Sequence, residues 1–363
     1  MEPKFILSKK ILKEQVRALQ DIGLKVSYSY KTNREVGGVL QDLEKSGEIK
    51  DVDFSIHARE EIEDISDKNK IWFFTQAESE EELREILVKG VRKFVIDNEV
   101  DLGRLLKVIK ETKIKITLSL RMKFQEHRIG SGKYFVYGMS PKTVNKLISE
   151  LRKNPFVEKL GVHIHRKSQN VSEWEIKQEV IDYFNEESLE AIDFFNFGGG
   201  LPSKYRSYNL KVLDYIFLKL KEAKGFLAEK GIISYIEPGR FLAAPCIKLE
   251  TEIIQIQGGN IIINTTIYNC SLDTILTGTK MLVEGELSES REFEEEKREK
   301  GENYLIKGNS PTRDDIFRYK VKLNSRDISV GKKIVFLNAG AYNYTTDFFG
   351  FKKLDTHVVE DFD

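Results

Sequence analysis

The 363-residue sequence has only two cysteines, Cys246 and Cys270, no excess charge of either sign and no long apolar run. Each shortage excludes a class of explanation. Two thiols are too few for a disulfide framework or a structural zinc centre, and each is expected to be a small buried side chain. Lys and Arg number 58 against 58 Asp and Glu, so bulk charge supports neither a nucleic-acid partner nor an anionic membrane. No apolar stretch approaches the ~20 residues that cross a bilayer. The opening MEPKFILSKKILKEQ is charged throughout, unlike a signal peptide. A soluble, cytoplasmic protein is the expectation. Hydrophobic residues at 40% and charged residues at 32% allow a large core in one large domain or two ordinary ones.

What is present is a repeated unit, a short β-rich run followed by helical periodicity. Eight such runs occur: LKVSYSY (24–30), DVDFS (51–55), KIWFF (70–74), RKFVI (92–96), KITLSLR (115–121), EKLGVHI (158–164), AIDFFNF (191–197) and IISYI (232–236). Between them the apolar spacing is helical, as in Val36, Val39, Leu40 and Leu43, or Val144, Leu147, Ile148 and Leu151. Eight alternations predict an α/β fold, a closed parallel (β/α)8 barrel of the TIM type, with an open doubly wound sheet as the competitor. After residue 240 the helical signal stops. CIKLETEIIQI, NIIINTTIY, RYKVKL and KKIVFLNAG read as strands. The expected division is therefore a barrel with an N-terminal leader over 1–240 and a C-terminal β-domain over 241–363, on which the N-terminal residues can pack. The run 284–304 is densely charged and reads as a solvated loop or frayed helix.

Barrel active sites lie at the C-terminal ends of the strands. Lys31 follows the first run, His165 the sixth, Gly198, Gly199 and Gly200 the seventh, and Glu237-Pro-Gly239-Arg240 the eighth. Glycine clusters usually just turn the chain. After strands seven and eight, however, bare backbone N–H groups can approach a phosphate, and Arg240 adds a charged fork. A phosphate-bearing cofactor is the economical reading. Lys31 taken alone is an ordinary surface lysine; at a strand end beside tyrosines and Asn33 it can be desolvated enough to form a Schiff base. Glu237 can keep a pyridine nitrogen protonated. His165 can be a satisfied core histidine or stack on a flat ring.

Lys31, GVHIHRKSQ, FNFGGGLP, EPGRFL and NAGAY (338–342) stand in the order found in fold-type III pyridoxal-phosphate decarboxylases, which this chain resembles over most of its length. That group contains the diaminopimelate, ornithine and carboxynorspermidine decarboxylases. The resemblance implies a barrel of the alanine racemase-like class, a C-terminal β-domain, and a homodimer whose active sites are shared between subunits. It implies pyridoxal 5'-phosphate as the cofactor, with no metal. Lys31 would bond its aldehyde, His165 would stack on its ring and Glu237 would meet its ring nitrogen. Ser168, Gly198, Gly199, Gly200, Gly239, Arg240 and Tyr342 would surround its phosphate, and Arg121 would lie close to the substrate.

Two departures bear on chemistry. Lys167 precedes Ser168 where the family has glycine, and Pro311 in Gly308-Asn-Ser-Pro311 stands at the position of a family cysteine that reaches the partner's site. Proline carries no proton to give. Thr312 replaces the acid that often holds a distal substrate amine, and Arg313 lies beside it, which favours a substrate with a distal carboxylate or polar group. Cys270 is the alternative thiol, with a structural role expected. The reading is α-decarboxylation of such an amino acid to an amine and CO2. The alternatives are an amino-acid racemase of the same barrel class, a non-catalytic pyridoxal-phosphate-binding relative, and a phosphate-sugar barrel enzyme in which Lys31 has no part.

Overall fold

The β-rich runs form the strands their composition implies, in a computed structural model that describes residues 1–124, 137–206, 210–287, 301–343, 345–346 and 350–362. Strand β1 (Lys4–Ser8) comes first. Eight strands then alternate with helices: β2 (Lys25–Ser29), β3 (Val52–Ile56), β4 (Ile71–Phe74), β5 (Lys93–Ile96), β6 (Ile116–Arg121), β7 (Val157–His163), β8 (Phe194–Asn196) and β9 (Ile233–Ile236). Each pairs in parallel with the next, and β9 returns to β2 through Lys25 opposite Tyr235 and Val26 opposite Ile236. The barrel is closed, so the doubly wound alternative falls. The predicted apolar stripes become buried helix faces: Val36, Val39, Leu40 and Leu43 on the helix Arg34–Lys45, and Val144, Ile148 and Leu151 on Pro141–Leu151.

Two structural units are present, Gln15–Pro202 with Lys211–Gly239, and Met1–Glu14 with Ser203–Leu210 and Arg240–Asp363. The second unit holds an eight-stranded sheet among its described residues. In it β10 (Ile247–Gln257), β11 (Asn260–Ile263), β12 (Leu282–Val283), β13 (Gly301–Lys307), β14 (Ile316–Asn324) and β15 (Lys333–Leu337) run in the order β12-β15-β10-β11-β13-β14. Strand β1 adds antiparallel to β10 and parallel to β16 (Thr356–Val359).

Two sequence expectations need correction here. The region after residue 240 is not free of helix: Arg240–Ala243, Ile267–Cys270 and Leu272–Thr277 are helical. They are too short to show a 3.6-residue period, and local capping helps define one of them, where the Thr266 side chain accepts from Tyr268 N. The charged run also ends early. Residues 301–304 already belong to β13, where Gly301 to Tyr304 pair with Asn324 to Val321 and the Tyr304 side chain is buried. Residues 288–300 of that run lie outside the described residues.

Inside the barrel, side chains two apart on a strand share a face. The lower tier carries a polar contact unusual for a barrel core. Trp72 Nε1 donates to Asp53 Oδ2 at 2.8 Å, and Lys93 Nζ reaches the same oxygen at 2.7 Å while lying over the Trp72 ring. Phe194 and Tyr235 pack against that indole with ring centroids at 5.1 and 5.6 Å. The Asp53 carboxylate is almost fully buried, and desolvation raises its pKa even though the Lys93 charge and the two donors offset part of that cost. Asp53→Ala, which leaves Lys93 without its acid, is expected to lower unfolding free energy in urea by about 2–4 kcal/mol. A loss near zero would show that the pair does not stabilise the barrel.

Candidate active site

The sequence places one polar side chain after another at the C-terminal ends of the barrel strands, and strand register lines three of them up. Arg121 ends β6 opposite His163 of β7, which stands opposite Asn196 of β8. Glu237 follows β9 directly and is buried. Its Oε1 accepts from Ser55 Oγ and Asn196 Nδ2, both at 2.9 Å, and its Oε2 accepts from His163 Nε2 at 2.9 Å. Ser55 Oγ also shares a hydrogen with Ser27 Oγ at 2.7 Å. Burial alone would raise the Glu237 pKa. The charge and hydrogen bond of His163, with help from His165 and Ser55, outweigh it and hold the carboxyl at about 2. Glu237 is therefore an anion fixed by three donors.

Lys31 sits in the short helical turn Tyr30–Thr32 that follows β2, and its exposed side chain belongs to the barrel mouth. Tyr28 OH donates to Asn33 O, and the Asn33 side chain accepts from Val36 N to cap the next helix, so the turn is held on both sides. Crowding by protein atoms and the charge of Arg121 lower the Lys31 pKa, against the opposing pull of Glu237 and Glu61. A lowered ammonium pKa is what an amine needs to react with an aldehyde near neutral pH. Arg121 is itself shifted downwards by desolvation, countered by Glu237 and Asp97, and lies over the Tyr137 ring at 5.4 Å.

His165 has an exposed side chain, and its Nδ1 accepts from Gly199 N at 3.3 Å. Its ring is stacked on that of His163, with centroids at 6.2 Å and planes at 22°. Desolvation and Arg121 push its pKa down to about 3, so the ring is neutral and suited to lying against another flat ring. The glycine loop is shaped by what its residues lack. Gly198 has φ of +65° and a Cβ there would sit 1.9 Å from Ile164 O; Gly200 has φ of +107° and would meet Lys167 O at 2.8 Å. Gly198 N donates to Asn196 Oδ1 at 2.8 Å, so the first two amides of the loop face protein acceptors. Ser168 is exposed in the facing loop, and Gly239 lies so close to Thr32 that a Cβ would stand 2.4 Å from its Oγ1.

The remaining expected site residues belong to the other unit. The Arg240 guanidinium makes a two-pronged ion pair with buried Asp273, reaches Tyr205 OH at 3.3 Å and lies over the Tyr342 ring at 5.0 Å. Its fork is thus filled by a carboxylate that sequence reading had not marked. Pro311 is exposed, Thr312 Oγ1 donates to Tyr268 OH at 3.1 Å, and Arg313 is 93% exposed beside Asp314. Buried Asp315 holds this loop by accepting from Ile267 N and Ser310 N. Cys270 is buried, bonds Thr266 O and has its thiol pKa pushed up by burial, as does Cys246. Neither is an exposed acid.

Four site residues were missed: Ser55, His57, His163 and Asn196. Parity along the strands was the signal, because residues two apart share a face, so His163 and Asn196 share the face of the site residues that follow them. His57, just beyond β3, packs edge-on against Phe74 at 4.6 Å and is held at about 3 by desolvation and the charge of Lys31. The ligand atoms of His163, His165 and Glu237 all lie within 4.8 Å of one another. His163 Nε2 and Glu237 Oε2 already bond each other, and Lys31 and Arg121 bring positive charge to that mouth.

A family model for pyridoxal-dependent decarboxylases, pyridoxal-binding domain, matches residues 8–244, and the chain belongs to that family. It is a pyridoxal-phosphate enzyme. Comparison with curated proteins finds no match. Among solved structures, lysine decarboxylase from Selenomonas ruminantium is similar with a TM-score of 0.80 and 16% identity, covering 99% of this chain and 93% of that one. Diaminopimelate decarboxylase from Helicobacter pylori, complexed with L-lysine, gives 0.79 and 20% identity over 100% and 92%. The arginine decarboxylase of Paramecium bursaria Chlorella virus, bound to agmatine, gives 0.73 and 19% over 99% and 96%. At these identities the likeness is one of fold. The residues suit the cofactor: an amine of lowered basicity, a buried fixed anion, a neutral imidazole and a turn in which a Cβ would clash. No described helix is long and apolar enough to cross a membrane.

These shifts fix the sign of an acid response. Glu237 is held below its ordinary 4.5, so its ionised form stabilises the fold above that pH and the contribution is lost as pH falls towards about 2. His57 and His165, held at about 3 against 6.5, favour the fold above 6.5, and that contribution is lost on the way down to 3. Urea midpoints are expected to fall steadily from pH 6.5 to pH 3. In Glu237→Gln the slope below pH 4.5 should flatten; a slope parallel to wild type throughout would contradict the assignment of that window to Glu237.

Proposed function

We propose that this protein removes the α-carboxylate of an amino acid with a polar or carboxylate-bearing distal group, giving an amine and CO2, as a cytoplasmic homodimer with shared sites. The observation that carries the reading is the buried anion of Glu237, held by three donors at the mouth that also holds Lys31. Pyridoxal phosphate, when bound, supplies an electron-poor ring that takes up the electron pair left by CO2. An anion beside the ring nitrogen keeps that nitrogen protonated and strengthens the sink; an arginine in its place, as in the racemases of this barrel class, would weaken it.

In this reading Lys31 would hold the cofactor through its aldehyde, close to where the substrate amine would bind. His165 lies against the ring, excludes water from that face and holds the ring plane. Glu237 fixes a proton at the ring nitrogen. Ser168, Gly198, Gly199, Gly200 and Gly239 are assigned to the phosphate end, as are Arg240 and Tyr342 on the strength of the resemblance. Arg121 brings positive charge for a carboxylate. With Pro311 unable to give a proton and Cys270 buried, Lys31 is the acid–base group assigned to the α-carbon. Thr312 and Arg313 are assigned to the distal group of the substrate in the partner's site, which the exposure of Arg313 permits.

The test is CO2 release from a panel of amino acids, followed with chiral analysis of recovered substrate. Substrates ending in a carboxylate or polar group are expected to be preferred to ornithine and lysine, and Arg313→Ala is expected to raise their KM about tenfold, the scale of one charge-assisted hydrogen bond. Best turnover with ornithine or lysine would contradict the substrate class. Racemisation without CO2 would contradict decarboxylation.

A further inference from the structure

His163 ends β7 as a fully buried imidazole whose Nε2 lies 2.9 Å from Glu237 Oε2. An ionised carboxylate only accepts, so Nε2 must carry the hydrogen. Its other nitrogen, Nδ1, has no hydrogen-bond partner among the described residues. Packing orients the ring instead. The Phe74 ring meets it edge-on at 5.2 Å and 82°, and the His165 ring lies nearly parallel at 6.2 Å. A residue this buried, with an orphaned nitrogen, is costly unless its single hydrogen bond matters.

Counting lone pairs shows what that bond does. A carboxylate offers about four acceptor sites. Ser55 and Asn196 fill Oε1, and His163 takes one site on Oε2. The site left for a ligand is on Oε2, and its direction is set by the donor on the other side of the same oxygen. We propose that His163 is a positioning residue for the pyridine end of the cofactor: its Nε2–H occupies one lone pair of Glu237 Oε2 and turns the other towards the ring nitrogen. The same imidazole braces His165, so the acid and the stacking ring are set by one side chain that touches neither cofactor nor substrate. This rests on the assignment of Glu237 to the ring nitrogen.

The experiment uses pyridoxal phosphate labelled with 15N in the ring, bound to wild type, His163→Phe, His163→Gln and Glu237→Gln. Phenylalanine keeps an aromatic ring against Phe74 and His165 but removes the donor; it is expected to weaken cofactor binding about tenfold or more and to move the ring 15N resonance towards the unprotonated value. Glutamine, whose amide can donate, should restore part of both. In cofactor-free wild type, 15N spectra of the histidines should show hydrogen on Nε2 of His163. Binding in His163→Phe within about twofold of wild type, with an unchanged ring nitrogen, would overturn the proposal, as would a bare Nε2. A ring nitrogen that changes in Glu237→Gln but not in His163→Phe overturns the role of His163 alone, whereas one unchanged in Glu237→Gln overturns the assignment beneath it. Should His163→Phe fail to fold, the wild-type histidine spectrum decides.

Discussion

A carboxylate cannot remain ionised inside a protein unless donors replace the water it has lost, and the barrel interior is built around meeting that demand for Glu237. Three strands contribute: Ser55 from β3, His163 from β7 and Asn196 from β8, each 2.9 Å from a carboxylate oxygen. Only a closed barrel brings the ends of strands this far apart in sequence to one point, since four strands lie between β3 and β8 in chain order and two in the other direction around the ring. Strand register does the rest, because a slip of one residue would turn His163 and Asn196 away from the interior.

The consequences run outward from that anion. Asn196 bonds Glu237 through its amide nitrogen and Gly198 N through its amide oxygen, so the acid and the glycine turn are placed by one side chain. Gly199 N bonds His165, whose ring stacks on His163. The positive charges of Lys31 and Arg121 are balanced in part by Glu237, while desolvation keeps Lys31 below its ordinary basicity. One buried charge thus orders the groups that would hold the ring and the amine that would react with the aldehyde. The lower tier, with Asp53, Trp72 and Lys93, repeats the device for stability.

Much of this was legible in the sequence. The eight runs gave the barrel because period-two and 3.6-residue patterns alternate without interruption, and strand ends located Lys31, His165, the glycines and Glu237. What stayed hidden depended on contacts between distant positions. Nothing around Asp273 marks it as the partner of Arg240, because that ion pair spans 33 residues and rests on a helix too short to show periodicity. Ser55 and Asn196 are ordinary strand residues until the barrel closes. His163 was visible but read as part of a motif, since its task is set by Glu237 74 residues later. The strand character of 301–304 was masked by charge on the solvent face of an antiparallel pair.

The central claim is that Glu237 stands as an anion against the ring nitrogen of a cofactor bonded to Lys31. A crystal structure of the protein loaded with pyridoxal phosphate tests it most directly. The account predicts continuous density from Lys31 Nζ to the cofactor and Glu237 Oε2 at about 2.7–2.9 Å from the ring nitrogen, the span of a charge-assisted hydrogen bond. Density joined to another lysine, or a ring nitrogen facing away from Glu237, would contradict it.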